Sequence, residues 1–278
     1  MKSKLHCRLY KRGMFIVAVF VVVCLSLEIA YSEEAWQPMV RNDETLARLL
    51  TDMCEQYNQP AIAAALVYGD SIVAQATVGK IVYGETLAVD ENSRFHIGST
   101  TKSMTAMLIA MLVKQGKLQY DMTLEQALPD VPMRDEYRDV TIADLLNNKA
   151  GVIAFQLIAH EDPAIVKKLM EEIPSAYSDP TEQRREVAKL ALSLEPIAEP
   201  GTQVIYSNVG WPIVGYILER VAGRSYEELM HEWIFEPLGM TTARIGGRPA
   251  SEAEPEQPRG HYVGRDSSRT PTPQPLDD

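Results

Sequence analysis

The stretch Ser99-Thr-Thr-Lys-Ser-Met-Thr-Ala-Met-Leu-Ile-Ala-Met-Leu-Val-Lys-Gln-Gly116 decides the reading of this chain. From Met104 to Val113 only Thr105 is polar, so the pattern predicts a helix over 99–115 that is buried on most sides. Gly116 ends it. Ser99 and Lys102, three residues apart, share one face of that helix. A neutral lysine there can take the hydroxyl proton as the serine attacks a carbonyl. Neutrality requires burial, or neighbours that disfavour its charge. The free amides and dipole at the helix start favour a developing oxyanion. Alone the motif is weak, because Ser-x-x-Lys is expected about once by chance in a chain of this length. The plain alternative is an exposed cap serine beside a surface lysine.

Support comes from Tyr206-Ser207-Asn208, the one Tyr-x-Asn of the chain, which follows Pro200-Gly201 and precedes an apolar helix. A tyrosine hydroxyl beside a Ser–Lys pair can share or relay the proton to a leaving group. Asn208 can donate to a substrate amide carbonyl or hold Lys102. The alternative is a loop tyrosine with its ring against the core.

With these motifs in place the chain resembles a known family. Phe95-His-Ile-Gly-Ser-Thr-Thr-Lys-Ser103 with Gly116-Lys-Leu118 is similar to the nucleophile helix of the serine β-lactamases and penicillin-binding proteins. Leu145-Leu-Asn-Asn-Lys-Ala-Gly151 resembles that family's Leu-Leu-Thr-His-Thr-Ser-Gly loop. Pro200-Gly-Thr-Gln-Val-Ile-Tyr-Ser-Asn208 resembles its second motif, and Glu236-Pro-Leu-Gly-Met240 the segment closing a later helix. The likeness runs from about residue 60 to 262 and points to the AmpC-like branch, shared with carboxypeptidases and esterases. It implies an α/β (α+β sandwich) fold with a helical subdomain and the site in the cleft between them. It also implies a serine hydrolase with Ser99 as nucleophile, Lys102 as base, Tyr206 as proton relay and Asn208 as substrate-binding residue, without cofactor or metal.

Two departures stand out. Asn148-Lys149-Ala150 replaces His-Thr-Ser, so the packing of that loop is expected to differ. The family's third motif, Lys or His then any residue then Gly on a cleft-lining strand, lies well beyond the tyrosine motif, whereas 72 residues follow Tyr206 here. Lys114-Gln-Gly116, Lys149-Ala-Gly151 and Arg244-Ile-Gly246 fit the bare pattern but read as a helix end, a loop and a turn. The C-terminal strands of the sheet are therefore expected to be missing, leaving an exposed edge on the hairpin near 61–79. In the family that strand's backbone amide completes the oxyanion hole with the nucleophile's own amide, and losing one such donor costs about 10²–10³ in rate, so this chain alone is expected to be poorly active or inactive.

Outward from these motifs, Lys2, Lys4, Arg8, Lys11 and Arg12 precede the apolar run Met14–Leu27, and Ala30-Tyr31-Ser32 follows. That order is a secretory signal cleaved near Ser32, and the run is short for a bilayer span of ~20 residues. The expectation is an exported, periplasmic or extracellular protein, touching a membrane only if the signal stays uncleaved. Cys7 and Cys24 lie inside the signal, which leaves Cys54 alone and permits no intrachain disulfide. The net charge is −11; without residues 1–32, 22 basic and 37 acidic side chains remain, a charge of −15. An acidic surface argues against nucleic acid as a partner.

The remaining signals place elements. Asn42 or Asp43 caps a helix with Leu46, Leu49, Leu50 and Met53 on one face. Apolar runs flank Gly69-Asp70 as a hairpin, which also disposes of Gly69-Asp70-Ser71-Ile72 as an esterase signature. Thr141-x-x-Asp144 and Ser225-x-x-Glu228 are capping boxes. Asp162-Pro163 and Asp179-Pro180 start helices over 163–173 and 180–193, and Asn208–Ala222 forms another. His231-Glu232 lacks the second histidine of a zinc helix, and His96 and His261 read as structural. The division expected is 1–32 signal, 33–246 hydrolase domain and 247–278 proline-rich coil. Two functional classes stay open. One is an acyl-transfer enzyme acting on a small-molecule ester, a peptidoglycan-like D-Ala peptide or a β-lactam, with ester or peptide preferred; the other is an inert, truncated remnant or binding domain.

Overall fold

A computed structural model describes residues 40–41, 43–155, 162–246, 257–263 and 271–273. The signal expected over 1–32 lies outside the described residues. Contacts divide the chain into one unit of residues 1–98 with 249–278 and a second of residues 99–248.

In the first unit, strand β1 (Val40–Arg41) leads into helix α1 (Glu44–Tyr57). Asp43 caps α1, its carboxylate accepting from the Leu46 amide at 2.8 Å. Leu50 is buried, but Leu49 and Met53, expected on the same face, are exposed. Strands β2 (Ala61–Tyr68) and β3 (Ser71–Gly79) form the expected hairpin, and β1 adds to β3 in parallel to give the order β1-β3-β2. Gly69 has φ +60 while Asp70 has no positive φ, the sign pattern of a II′ turn. Among the described residues β2 has no strand on its outer side, and Leu66 and Val67 are exposed there. That is the open edge anticipated from the sequence.

The reading of 247–278 as coil needs correction. His261–Val263 and Pro271–Pro273 pair as antiparallel strands, β4 and β5. The segment before them is tied down by non-local bonds. Gln257 Oε1 accepts from the Arg94 amide at 2.7 Å, and the Arg259 amide donates to the Ile81 carbonyl at 3.0 Å. His261 Nε2 accepts from the Tyr83 amide at 3.0 Å, which leaves Nδ1 to donate to the Arg259 carbonyl at 2.9 Å. A histidine bonded at both nitrogens to main chain holds structure, as read.

The second unit is helical. Helix α2 (Thr101–Lys114) follows a tight turn, Gly98–Thr100, and buries Thr105, Leu108, Ile109 and Leu112. Short helices α3 (Leu124–Ala127), α4 (Asp135–Arg138) and α5 (Ile142–Leu146) come next. The box at α5 is formed: Asp144 donates its amide to Thr141 Oγ1 and returns a carboxylate oxygen to the Thr141 amide. Helix α6 (Pro163–Lys167) runs through a wide π turn, Lys168–Glu172, into α7 (Ile173–Ala176), three residues beyond the expected end. Helix α8 occupies Pro180–Ser193 as read, and α9 spans Gly210–Ala222. Helix α10 (Tyr226–Met230) starts at the Ser225–Glu228 box and passes into a second π turn, His231–Phe235. Helices α2 and α9 supply the centre of the core, where Leu108, Leu112, Ile213 and Ile217 are fully enclosed. Burying such a side chain is worth about 1.5–3 kcal/mol, which anchors the two elements that carry the candidate site. Among the described residues no helix is long and apolar enough to cross a membrane.

Candidate active site

Ser99 lies in the tight turn at the mouth of α2, and Lys102 follows one helical turn later. Lys102 Nζ donates to Ser99 Oγ at 3.0 Å and to Asn208 Oδ1 at 3.1 Å. Ser99 Oγ and Tyr206 Oη stand 2.5 Å apart, and either can donate. All four residues singled out from the sequence therefore meet. Ser99 is exposed, Tyr206 is 39% exposed, and Lys102 and Asn208 are half-buried.

The segment that presents Tyr206 and Asn208 is laced to the loop after α5. The Ile197 amide donates to the Gly151 carbonyl, that of Gly201 to Lys149, that of Ile205 to Asn148 and that of Asn208 to Ala154, each at 2.8 Å. Gly151 makes this close approach possible. It has φ +71, and a Cβ there would stand 2.4 Å from the Ala198 carbonyl oxygen. Ser207 is buried; its hydroxyl donates to the Ile153 carbonyl at 2.6 Å and accepts the amides of Val209 and Gly210, where α9 begins. Asn208 Nδ2 donates to the Phe155 carbonyl at 2.9 Å, so both ends of its amide are occupied and Oδ1 faces Lys102.

Sequence reasoning missed Trp211. Lys102 Nζ lies 5.0 Å from the Tyr206 ring centre and 5.8 Å from that of Trp211. Aromatic faces attract an ammonium. The signal was available: an aromatic residue in the first turn of α9, three positions past Asn208. Among the described residues no carboxylate pairs with Lys102, so its polar partners are neutral oxygens. Burial pushes the Tyr206 hydroxyl up, but its hydrogen bonds with Lys102 and Ser99 and the Lys102 charge outweigh that and hold it below the usual phenol value.

The loop departure has a local outcome: Asn148 adopts φ +55, a conformation asparagine tolerates better than most residues. None of the three bare matches to the third motif lies on a strand. Lys114–Gly116 ends α2, Lys149–Gly151 belongs to the loop after α5, and Arg244–Gly246 lies beyond the last helical turn. Among the described residues no cluster of three or more His, Cys, Asp or Glu side chains could hold a metal ion.

Comparison with known proteins agrees with this geometry. The sequence pattern of the Beta-lactamase family matches residues 46–278. Penicillin-binding protein 4* of Bacillus subtilis (strain 168) is 28% identical over 207 residues, covering 70% of this chain and 40% of that protein. The solved penicillin-binding protein homologue from Pyrococcus abyssi superposes with a TM-score of 0.60 at 23% identity, covering 84% of this chain and 50% of that one. EstCE1, described as a hydrolase with promiscuous acyltransferase activity, gives a TM-score of 0.64 at 18% identity over 84% of this chain and 59% of that one. The chain thus spans about half the length of the relatives it matches, and the structural likenesses establish the β-lactamase/transpeptidase fold. By its sequence pattern, with Ser99, Lys102, Tyr206 and Asn208 assembled as the motifs required, the chain belongs to the β-lactamase family of serine hydrolases.

Proposed function

We propose that this protein is an exported serine hydrolase that forms an acyl-enzyme on Ser99. The observation that carries the reading is the meeting of Ser99 Oγ with Tyr206 Oη at 2.5 Å and Lys102 Nζ at 3.0 Å. Ser99 Oγ attacks the acyl carbonyl and forms the new C–O bond, while its proton passes to the Tyr206–Lys102 pair. Lys102, which acts as the base in its neutral form, and Tyr206, its relay, work in sequence: Tyr206 Oη, the nearer acceptor, takes the Ser99 proton as it passes its own to Lys102 Nζ. The same proton is returned to the departing alkoxide or amine as its bond to the carbonyl carbon breaks. Water then attacks the acyl-enzyme by the reverse proton path and frees Ser99. Asn208, held between Lys102 and the Phe155 carbonyl, fixes Lys102 Nζ in line with Ser99.

The substrate class is a small ester or a D-Ala-type peptide, taken from the acyl-transfer chemistry and from the penicillin-binding relatives. The export signal in residues 1–32 is consistent with a substrate outside the cytoplasm. The test is hydrolysis of short-chain p-nitrophenyl esters by the purified chain and by Ser99→Ala. Turnover that falls to the buffer rate in Ser99→Ala is the expected result; equal turnover in the two would place the reaction elsewhere.

A further inference from the structure

Asn148 makes two bonds to one short segment. Its main-chain carbonyl accepts from the Ile205 amide at 2.8 Å, and its side-chain Oδ1 accepts from the Ser207 amide at 3.2 Å. Ile205 and Ser207 are the residues on either side of Tyr206. A strand partner would need two residues to bind these two amides; here one residue binds both, in a left-handed conformation with φ +55. That backbone conformation costs a non-glycine residue something, and asparagine bears it better than most. The residue is half-buried, and an amide deprived of its acceptor in such a place is costly to leave unpaired.

Tyr206 itself is 39% exposed, and Val204, two residues before it, is 68% exposed. The hydroxyl, however, must stay within hydrogen-bond reach of Ser99, 107 residues away in sequence. Anchors further along act on Ser207 Oγ and on Asn208, both beyond the tyrosine. Asn148 grips both sides of it.

We propose that Asn148 is the positioning residue of the tyrosine motif, a two-point clip whose carbonyl and Oδ1 bind the amides flanking Tyr206 and so hold its hydroxyl on Ser99 Oγ. The proposal rests on the acyl-transfer reading of Ser99. Among the described residues no hydrogen bond joins Asn148 to Ser99 or Lys102, so it acts through Tyr206. It occupies a position where the resembled family pattern has histidine, and the Oδ1 half of the clip is what asparagine supplies here.

Asn148→Gly keeps the left-handed backbone and the carbonyl bond and removes only Oδ1. Asn148→Asp keeps an acceptor oxygen in the same place. Two readouts are needed, with folding checked by circular dichroism. The first is the titration of Tyr206, followed by ¹³Cζ NMR and assigned with Tyr206→Phe. The second is the rate at which a fluorophosphonate labels Ser99. In Asn148→Gly the Tyr206 titration is expected to rise towards that of a free phenol as the hydroxyl leaves Lys102 and Ser99. Labelling is expected to fall by about 10–100-fold, the cost of a misplaced catalytic group. Asn148→Asp is expected to label within about threefold of the unchanged chain, as retention of one hydrogen-bond acceptor requires.

A folded Asn148→Gly protein whose Tyr206 titrates as in the unchanged chain overturns the clip, whether or not Ser99 reacts. Failure of the unchanged chain to label would sink the acyl-enzyme reading instead. The titration alone would then decide whether Asn148 positions Tyr206.

Discussion

Lys102→Met is expected to slow acylation of Ser99 by about 10²–10⁴-fold, the range that positioned proton transfer contributes. The geometry gives the reason. Lys102 Nζ donates to Ser99 Oγ, is held by Asn208 Oδ1, and lies over the rings of Tyr206 and Trp211. Methionine keeps the length and apolar body of the side chain, so packing against the two rings survives while the donor and the charge are lost. A second effect separates this from simple misplacement. Burial raises the Tyr206 hydroxyl, whereas the Lys102 hydrogen bond, the Ser99 hydrogen bond and the Lys102 charge lower it, with a net lowering. With Lys102 gone, two of the lowering causes vanish and burial remains. The phenol must then titrate higher. Acylation in the unchanged chain is expected to rise with pH through a midpoint below an ordinary phenol's, about 10. In Lys102→Met the residual rate is expected to rise only at higher pH. Stopped-flow labelling across a pH series measures both quantities. A Lys102→Met protein with an unshifted midpoint would show that Tyr206 does not share the Ser99 proton.

Arg184→Ala is expected to cost about 3–5 kcal/mol, the penalty of leaving a buried charge without its partner. Glu219 is only 5% exposed. Its carboxylate accepts from Arg184 at 2.6 and 3.1 Å, from Thr181 Oγ1 at 2.8 Å and from the Tyr226 amide at 2.9 Å. Arg184 also binds Glu227 through two nitrogens, at 3.0 and 2.9 Å. Burial lowers the Arg184 guanidinium, and its bonds to Glu219 and Glu227 more than offset this. The guanidinium stacks over the Tyr226 ring at 5.3 Å, and the Tyr226 hydroxyl meets Thr105 Oγ1 at 2.8 Å. Thr105 also bonds back to the Thr101 carbonyl. The network therefore joins α8, α9 and α10 to the turn of α2 that carries Lys102. Urea unfolding is the measurement. Arg184→Met combined with Glu219→Met is expected to recover much of the loss, because an apolar pair removes the stranded charge. A single-variant loss below about 1 kcal/mol, the scale of an exposed ion pair, would show that Glu219 is well solvated.

Where a local rule sets the structure, the sequence could be read directly. Asp43, Thr141, Asp179 and Ser225 cap the helices they were expected to cap, because a side-chain oxygen next to free amides acts within three residues. The hairpin turn at Gly69-Asp70 is equally local. The site was legible for a different reason: Ser99, Lys102, Tyr206 and Asn208 belong to motifs whose chemistry needs them together. Asn148 was not legible as a clip, because its Oδ1 meets an amide 59 residues away. Trp211 looked like one more apolar residue of α9. The bonds that tie Gln257 and His261 to Arg94 and Tyr83 join positions more than 160 residues apart, and a proline-rich stretch gives no periodicity to announce them. The π turns after Lys167 and Met230 fall inside stretches read as regular helix, and no cap or breaker marks such a widening.

The most direct test of the acyl-enzyme account is the intact mass of the purified chain after exposure to a fluorophosphonate, beside a Ser99→Ala control treated alike. The account predicts one adduct on the unchanged chain and none on the control. An unmodified mass on a folded chain, or the same adduct on both proteins, would contradict it.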